Sequence, residues 1–416
     1  MIYDCIVIGA GAAGLFFGST ITKRINGLIL EKTSRAGSKL LISGSGQCNI
    51  THSGSIKDFV RCYGKNGSRI RSCLYRHSNR ELTDFLESNG VATTVREGGK
   101  IFPTSMEAND IRKLLLRKCE KNGFSINYNE SVCAIEKHDS GLWHISTCCT
   151  EDKSSGKNID NLSNAISKSY ISKTVIIASG GCSYPATGSD GSLFSVLKKY
   201  LDINITPLKP ALAPVKVYDY PYGELSGISF EHAGVSIWRG HKSSRRKISE
   251  NAAGLLFTHK DLSGPAVLNI SQYAEQDDTI MINYLYPMGY EDALKAIKEA
   301  ISNSSCDMSN IISARFNLPK RFCRLMTERY GLSPKTLALR LTSEEFTISS
   351  SADFSKAMVT NGGIDLNEIN TKTMEIKKHP GIFSVGEVCD IDGITGGYNL
   401  QFAYSSARTA GEGIII

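Results

Sequence analysis

At 416 residues, with 41% hydrophobic and 21% charged side chains, the chain is long enough for two or three globular domains and too apolar for a disordered one. Its net charge of +7 comes without a basic block or interleaved aromatics, Arg245-Arg246-Lys247 being the densest run, so no nucleic-acid partner is expected. Twelve cysteines without a Cys-x-x-Cys pair argue against a zinc site and a secreted disulfide framework, and no stretch approaches the ~20 apolar residues of a membrane span, so a cytoplasmic protein without a membrane partner is expected.

Tyr3–Ile8 is an apolar run suited to a buried parallel strand. Gly9-Ala10-Gly11-Ala12-Ala13-Gly14 follows at once, a helical stretch runs from Leu15 to about Lys23, and a second apolar strand, Gly27–Leu30, ends on Glu31. This order of strand, glycine turn, helix, strand and acid binds an ADP moiety. Gly9 permits the tight turn, Gly11 lets the backbone approach a pyrophosphate, and Gly14 lets helix and strand pack closely. The phosphates then meet the free N–H groups of a helix N-terminus. Glu31 can accept from ribose hydroxyls and disfavours a 2′-phosphate at this place.

The Gly/Ser-rich stretch Ser34–Gly54 is too long for a simple connector. Helical spacing recurs over Asn79–Asn89 and Ala108–Lys121, and strands are expected at Phe124–Tyr128, Val132–Ile135 and Leu142–Ile145. Glu151–Ser169, rich in Ser, Asn and Lys, reads as a hairpin tip without chemistry. Thr174–Ala178 is a buried strand closed by Ser179-Gly180-Gly181. Short strands punctuated by Gly and Pro follow over Pro207–Tyr286, then helical periodicity over Glu291–Ser302 and Lys320–Thr342. Gly362–Ile416 resumes the style of the opening. The simplest division is a discontinuous nucleotide-binding domain, 1–190 with 346–416, interrupted by a β-rich module at 191–288 and a helical module at 289–345.

The C-terminal tract separates FAD from NAD. Pro380–Glu387 is an apolar strand ending in a glycine and an acid; in two-dinucleotide-binding flavoproteins such a strand lies beside the first and meets the ribityl–pyrophosphate stretch of FAD. Gly393-Ile394-Thr395-Gly396-Gly397-Tyr398-Asn399-Leu400-Gln401 then opens a helix whose first N–H groups would face the flavin carbonyl and stabilise the anionic reduced ring.

Together with Lys39–Thr51, Gly99–Pro103, Ala178–Pro185, Leu256–Pro265 and Val359–Gly363, these motifs give nearly the full length a resemblance to the YhiN/BaiN-type (aminoacetone-oxidase-like) family of FAD-dependent oxidoreductases. The resemblance implies an α/β fold, with a discontinuous Rossmann-like FAD-binding domain and inserted β-barrel-like and helical modules. It also implies a non-covalent FAD. The adenine end would lie at Gly9, Gly11, Ala12, Ala13, Gly14, Glu31 and the backbone around Val132. The ring would lie near Ser43, Gly44, Gly46, Cys48, Asn49, Gly396, Gly397, Tyr398, Asn399 and Leu400. Lys32, Lys39, Leu40, Ala178, Ser179, Gly180, Gly181, Gly386, Glu387 and Asp390 would be the further cofactor-binding residues. The chain departs from the family's pattern at Gln47, where arginine is common, and at Ile376, where serine is usual.

Cys48 invites a redox reading, but the next cysteine is Cys62, too far along the chain for a dithiol pair. Tyr398, Asn49 and Cys48 are the candidate catalytic residues, with Tyr398 favoured as proton donor over the lone histidines His52 and His259. No second Gly-x-Gly-x-x-Gly follows a strand, so NAD(P)H would visit only transiently as electron donor. The expected activity is hydride transfer between flavin and a small-molecule substrate. Reduction of a conjugated C=C in a steroid-like bile acid and oxidation of an aminoacetone-type amine are the activities the resemblance implies. The alternatives from other classes are a flavin-bound RNA-modifying or RNA-binding protein and a flavin sensor. The oligomeric state is left open.

Overall fold

The strand Ile2–Ile8 is buried from both faces because its run Cys5-Ile6-Val7-Ile8 carries apolar side chains on each side of the pleat. It pairs in parallel with Gly27–Leu30 on one side and with Lys168–Ile177 on the other. Gly27–Leu30 pairs onward with Phe124–Asn127, and Lys168–Ile177 with Ile382–Ser384, again in parallel. Ile8, Leu30, Asn127, Ile177 and Ser384 therefore end on one edge of a continuous sheet. In an open α/β sheet, ligands bind outside the carboxyl ends of the strands. The hairpin of Glu130–Lys137 and Trp143–Cys149 extends this sheet in antiparallel fashion through Lys168–Ile177.

The computed structural model describes residues 1–149, 168–240, 244–302, 306–350 and 352–414. The chain forms two units, 1–209 with 359–416, and 210–358. Within the first, the helix Ala12–Thr20 packs against the helix Ala108–Lys121 and the closing helix Tyr398–Gly413. The expected helix to Lys23 stops at Thr20, where Ile21 turns to extended backbone. The Asn79–Glu87 helix starts on a reciprocal cap: Ser78 accepts from the Glu81 N–H, and the Glu81 carboxylate accepts from the Ser78 N–H. Most of the segment Glu151–Ser169 lies outside the described residues.

In the second unit, strands Lys216–Val217, Glu344–Ser350, Thr279–Asn283, Ser229–Arg239, Arg246–Phe257 and Leu262–Ser263 pair antiparallel in that order. A bridge between Val215 and Leu262 joins the two ends of the order, so the sheet closes on itself. Two of the strands, 11 and 12 residues long, form one extended hairpin, so the stretch is not built only of the short strands its Gly/Pro punctuation suggested. Among its described residues the helical tract holds four helices: Tyr290–Ser302, Met308–Phe316, Lys320–Tyr330 and Pro334–Thr342. Gly331, at φ +79°, and Pro334 at the next N-terminus divide what the periodicity reads as one helix. Barrel strands and helices share a single apolar core, including Phe230, Phe257, Ile280, Phe322 and Leu341. Inside this core, fully buried Glu344 accepts from the hydroxyls of Tyr222, Tyr284 (2.5 Å) and Tyr330 (2.6 Å).

Candidate functional site

The glycine turn is built from three different steric demands. Gly9 has φ +104°, and a Cβ there would stand 2.6 Å from the Ala178 carbonyl oxygen. At Gly14 a Cβ would meet the Gly9 carbonyl oxygen at 2.0 Å, so helix and strand can approach only on glycine. Gly11 is the reverse case, since a Cβ there would project into open space with nothing within 4 Å. No side chain caps the first turn of Ala12–Thr20. An open approach to an uncapped helix N-terminus is a cradle for phosphate. Glu31 stands at the neighbouring strand end, 8% exposed, accepting from the N–H of Ala10 (2.8 Å) and from Thr33 (2.8 and 2.7 Å). The Glu130 N–H donates to the Glu31 carbonyl at 3.0 Å, which brings the Val132 strand alongside.

Two further strand ends meet this turn. The Ala178 N–H donates to the Ile8 carbonyl (2.9 Å), placing Ala178–Gly181 beside the glycines. Gly386, at φ +72°, lets its backbone lie against Ala13, where a Cβ would stand 2.6 Å from the Ala13 Cβ, and its N–H donates to Ser406 Oγ at 3.0 Å. Glu387 is a junction. Its carboxylate accepts from Ser183 Oγ (2.6 Å), the Thr360 N–H (2.8 Å) and Lys39 Nζ (2.5 Å). Lys39 also donates to the Ser183 and Ser189 hydroxyls, so its charge is held by protein groups. Lys32 is likewise paired, with Asp190.

The third part lies between the segment 43–52 and the closing helix. Gly44, Ser45, Gly46 and Cys48 all adopt positive φ, which folds this segment back on itself after the short helix Ser38–Ile42. Gly397, at φ +94°, packs on Thr51, whose backbone a Cβ would meet at 2.7 Å. The Asn49 side chain bridges the two. Its oxygen accepts from the Gly397 N–H (3.2 Å), and its nitrogen donates to Thr51 O (3.0 Å) and Ile101 O (3.2 Å). Buried Gln401 takes the Thr51 hydroxyl at 2.6 Å. Asn399 clamps Gly393 with two hydrogen bonds, 2.8 and 2.9 Å.

The expected catalytic residues are placed differently from their assigned roles. The Tyr398 ring is 8% exposed, stacked on His52 (centroids 5.5 Å) with Phe59 and Tyr63 at its edges. Burial pushes its phenol well above the ordinary value, and its nearest polar partner is the Cys62 thiol. The ring is packed on three neighbours, and the phenol keeps its proton. Cys48 is fully buried and burial pushes its thiol up to about 12, so it stays a neutral packing group. Cys5, Cys48, Cys73, Cys119, Cys323 and Cys389 are buried free thiols. His52 is fixed at both ring nitrogens: Gly54 N–H donates to Nδ1 (3.0 Å), leaving Nε2–H to donate to Gly98 O (2.6 Å). His259 lies exposed on a turn of the second unit.

One acid was missed. Asp392 directly precedes the glycine turn, and burial pushes its carboxyl up, reinforced by Asp390 and Glu387 nearby. Asn361 Nδ2 donates to its Oδ1 at 2.8 Å. Its signal in the sequence was an acid immediately before Gly393, masked by the stronger glycine pattern. The donor set as a whole fits a dinucleotide: an open glycine backbone, an uncapped helix start, a ribose-height carboxylate and a second helix start at the far end.

A family description, HI0933-like protein Rossmann domain, matches residues 3–413. The chain is 28% identical to the ribosomal RNA dihydrouridine synthase of Escherichia coli over 427 aligned positions, covering 99% of this chain and 98% of that one. It is 25% identical to the 3-dehydro-bile acid delta(4,6)-reductase of Clostridium scindens, covering 98% and 97%. Among solved structures, E. coli quinol fumarate reductase FrdA superposes with a TM-score of 0.51 at 14% identity, over 100% of this chain and 70% of that one, a likeness of fold. No described helix is long and apolar enough to cross a membrane.

Proposed function

The chain belongs to the HI0933-like family and is an FAD-dependent oxidoreductase, and from that premise we propose that it reduces a carbon–carbon double bond conjugated to a carbonyl. The observation that carries this reading is the chemistry shared by two of its full-length relatives. Dihydrouridine is uridine with the ring C=C saturated, and that bond is conjugated to a ring carbonyl. A delta(4,6)-reductase acts on a double bond of the same electronic kind. In conjugate reduction of such an enone, hydride adds to the carbon remote from the carbonyl and a proton to the carbon beside it.

FAD, when bound, supplies the hydride. Gly9–Gly14 and Glu31 would hold its ADP portion, with Gly386 and Asp390 at the middle and the Gly396-Gly397 turn at the ring. Asp392 stands beside the glycine turn, and burial pushes its carboxyl up, which favours the protonated form a proton donor needs. Asn361 orients that carboxyl. NAD(P)H is the proposed electron donor.

A uracil base in RNA is taken first as substrate and a steroid enone second, following the closer of the two likenesses. The test is an anaerobic titration of the yellow protein with NADH and NADPH, followed by uridine-containing RNA or a conjugated steroid ketone. Bleaching by a nicotinamide and recolouring by either acceptor supports the reading. A flavin that is reduced only by amines and reoxidised only by oxygen would replace it with the amine-oxidase reading.

A further inference from the structure

Between Lys57 and Arg80 the chain carries seven cations, Lys57, Arg61, Lys65, Arg69, Arg71, Arg76 and Arg80, against one acid, Asp58. This stretch holds nearly all of the molecule's net charge of +7. All seven side chains are exposed. Arg76 reaches Glu412 (3.3 Å) and Arg69 reaches the neutral amide of Asn367 (2.9 Å). Lys57, Arg61, Lys65, Arg71 and Arg80 form no ion pair with a described residue, so their charge is available to a partner.

The segment is fastened to the proposed ring end of the site. The Tyr63 hydroxyl donates to the Tyr398 carbonyl (2.7 Å), the Ile394 N–H to the Cys62 carbonyl (3.0 Å), and Asn66 Nδ2 to the Asp390 carbonyl (2.8 Å). Arg61 and Lys65 therefore flank residues bonded directly to the loop 390–398. On the same surface Tyr75 is 50% exposed, with the Arg71 guanidinium 5.3 Å from its ring centre.

We propose that the surface 57–80 is the RNA-binding face of this protein, its cations holding backbone phosphates while Tyr75 stacks on an unpaired base. The proposal rests on the uracil-reduction reading for its choice of polyanion. Cations with one exposed aromatic suit a single-stranded or looped nucleic acid, in which a base can leave its stack to reach a buried ring. A membrane face would present several large apolar side chains, and Tyr75 is the one that is exposed between residues 56 and 80.

The experiment is fluorescence anisotropy of a labelled mixed-sequence single-stranded RNA 20-mer with the flavin-loaded full chain across a salt series. Three proteins are compared: wild type, the triple variant Arg61→Gln, Lys65→Gln, Arg71→Gln, and a control triple, Lys295→Gln, Lys320→Gln, Lys335→Gln. Each phosphate contact to a single strand contributes about 0.7 to the log–log salt slope, so the first triple lowers the slope by about 2 and the control leaves it unchanged. Tyr75→Ala weakens binding about fivefold or more without changing the slope. An unchanged flavin spectrum and unchanged reduction of a free conjugated ketone show that the variants are folded and loaded. Wild-type affinity and slope in the first triple would overturn the proposal. So would RNA binding too weak to measure alongside tight binding of the same residues to anionic phosphatidylglycerol vesicles. RNA binding through these residues with no conjugated acceptor ever reduced would leave the surface standing and remove the reductase reading alone.

Discussion

Replacing Gly11 and Gly14 by alanine separates what the glycine turn does for the ligand from what it does for the fold. At Gly14 the added methyl would lie 2.0 Å from the Gly9 carbonyl oxygen, a rigid backbone atom. Helix and strand must then move apart, at a cost of about 1–3 kcal/mol or more in the unliganded protein. Gly11 has an ordinary extended backbone, φ −75° and ψ −174°, and open space where the methyl would go. Losing a glycine at the helix N-cap costs about 0.5–1 kcal/mol, and the lower entropy of the unfolded chain returns about 0.4–1 kcal/mol. The two nearly cancel, so Gly11→Ala leaves the melting temperature of the apo protein almost unchanged. The same methyl blocks close approach of phosphate to the turn. Loss of one charge-assisted backbone hydrogen bond, about 1.5–3 kcal/mol, weakens FAD binding roughly tenfold to over a hundredfold. Melting curves of the apo variants and quenching of FAD fluorescence on titration give both numbers. Wild-type FAD affinity in Gly11→Ala would refute the cradle.

Three further outcomes follow from the same geometry. Burial pushes the Asp392 carboxyl above the ordinary carboxylate range, so turnover falls as pH rises through that elevated value, and Asp392→Asn lowers the rate and removes that limb from the pH–rate profile. Tyr284→Phe removes one of the three hydroxyls serving buried Glu344 and costs about 1–3 kcal/mol in urea unfolding, with no effect on FAD affinity. Cys48, with its thiol at about 12, resists iodoacetamide in the native protein and is alkylated only after unfolding, as read by peptide mass spectrometry.

The nucleotide end of the molecule was legible because its constraints are local. Gly9, Gly14 and Glu31 lie within one strand–helix–strand unit, and each glycine meets a backbone atom of its own neighbourhood or a neighbouring strand end. The ring end was less legible because its partners are distant in sequence. Asn49 meets Gly397, and Tyr398 meets His52, Phe59 and Tyr63, contacts that no spacing rule announces. A tyrosine beside a glycine turn reads as an available acid until its ring is seen packed on three others. The cations from Lys57 to Arg80 were passed over for a related reason. They recur mostly four residues apart, the period of a helical face, whereas a search for contiguous runs finds Arg245-Arg246-Lys247. In the structure Arg245 is paired with Glu345 and Lys247 with Glu250, which leaves that run largely neutralised.

The central claim is conjugate reduction by a flavin held at the parallel-strand edge. It is tested most directly by reducing the FAD-loaded protein anaerobically, mixing it with ribosomal RNA from cells lacking the protein, and following both the flavin band and the RNA nucleosides by mass spectrometry. Recolouring of the flavin in step with a uridine that gains two hydrogens is the expected result. Flavin that stays reduced in the presence of this RNA and of conjugated steroid ketones, yet recolours at once with oxygen, would contradict it.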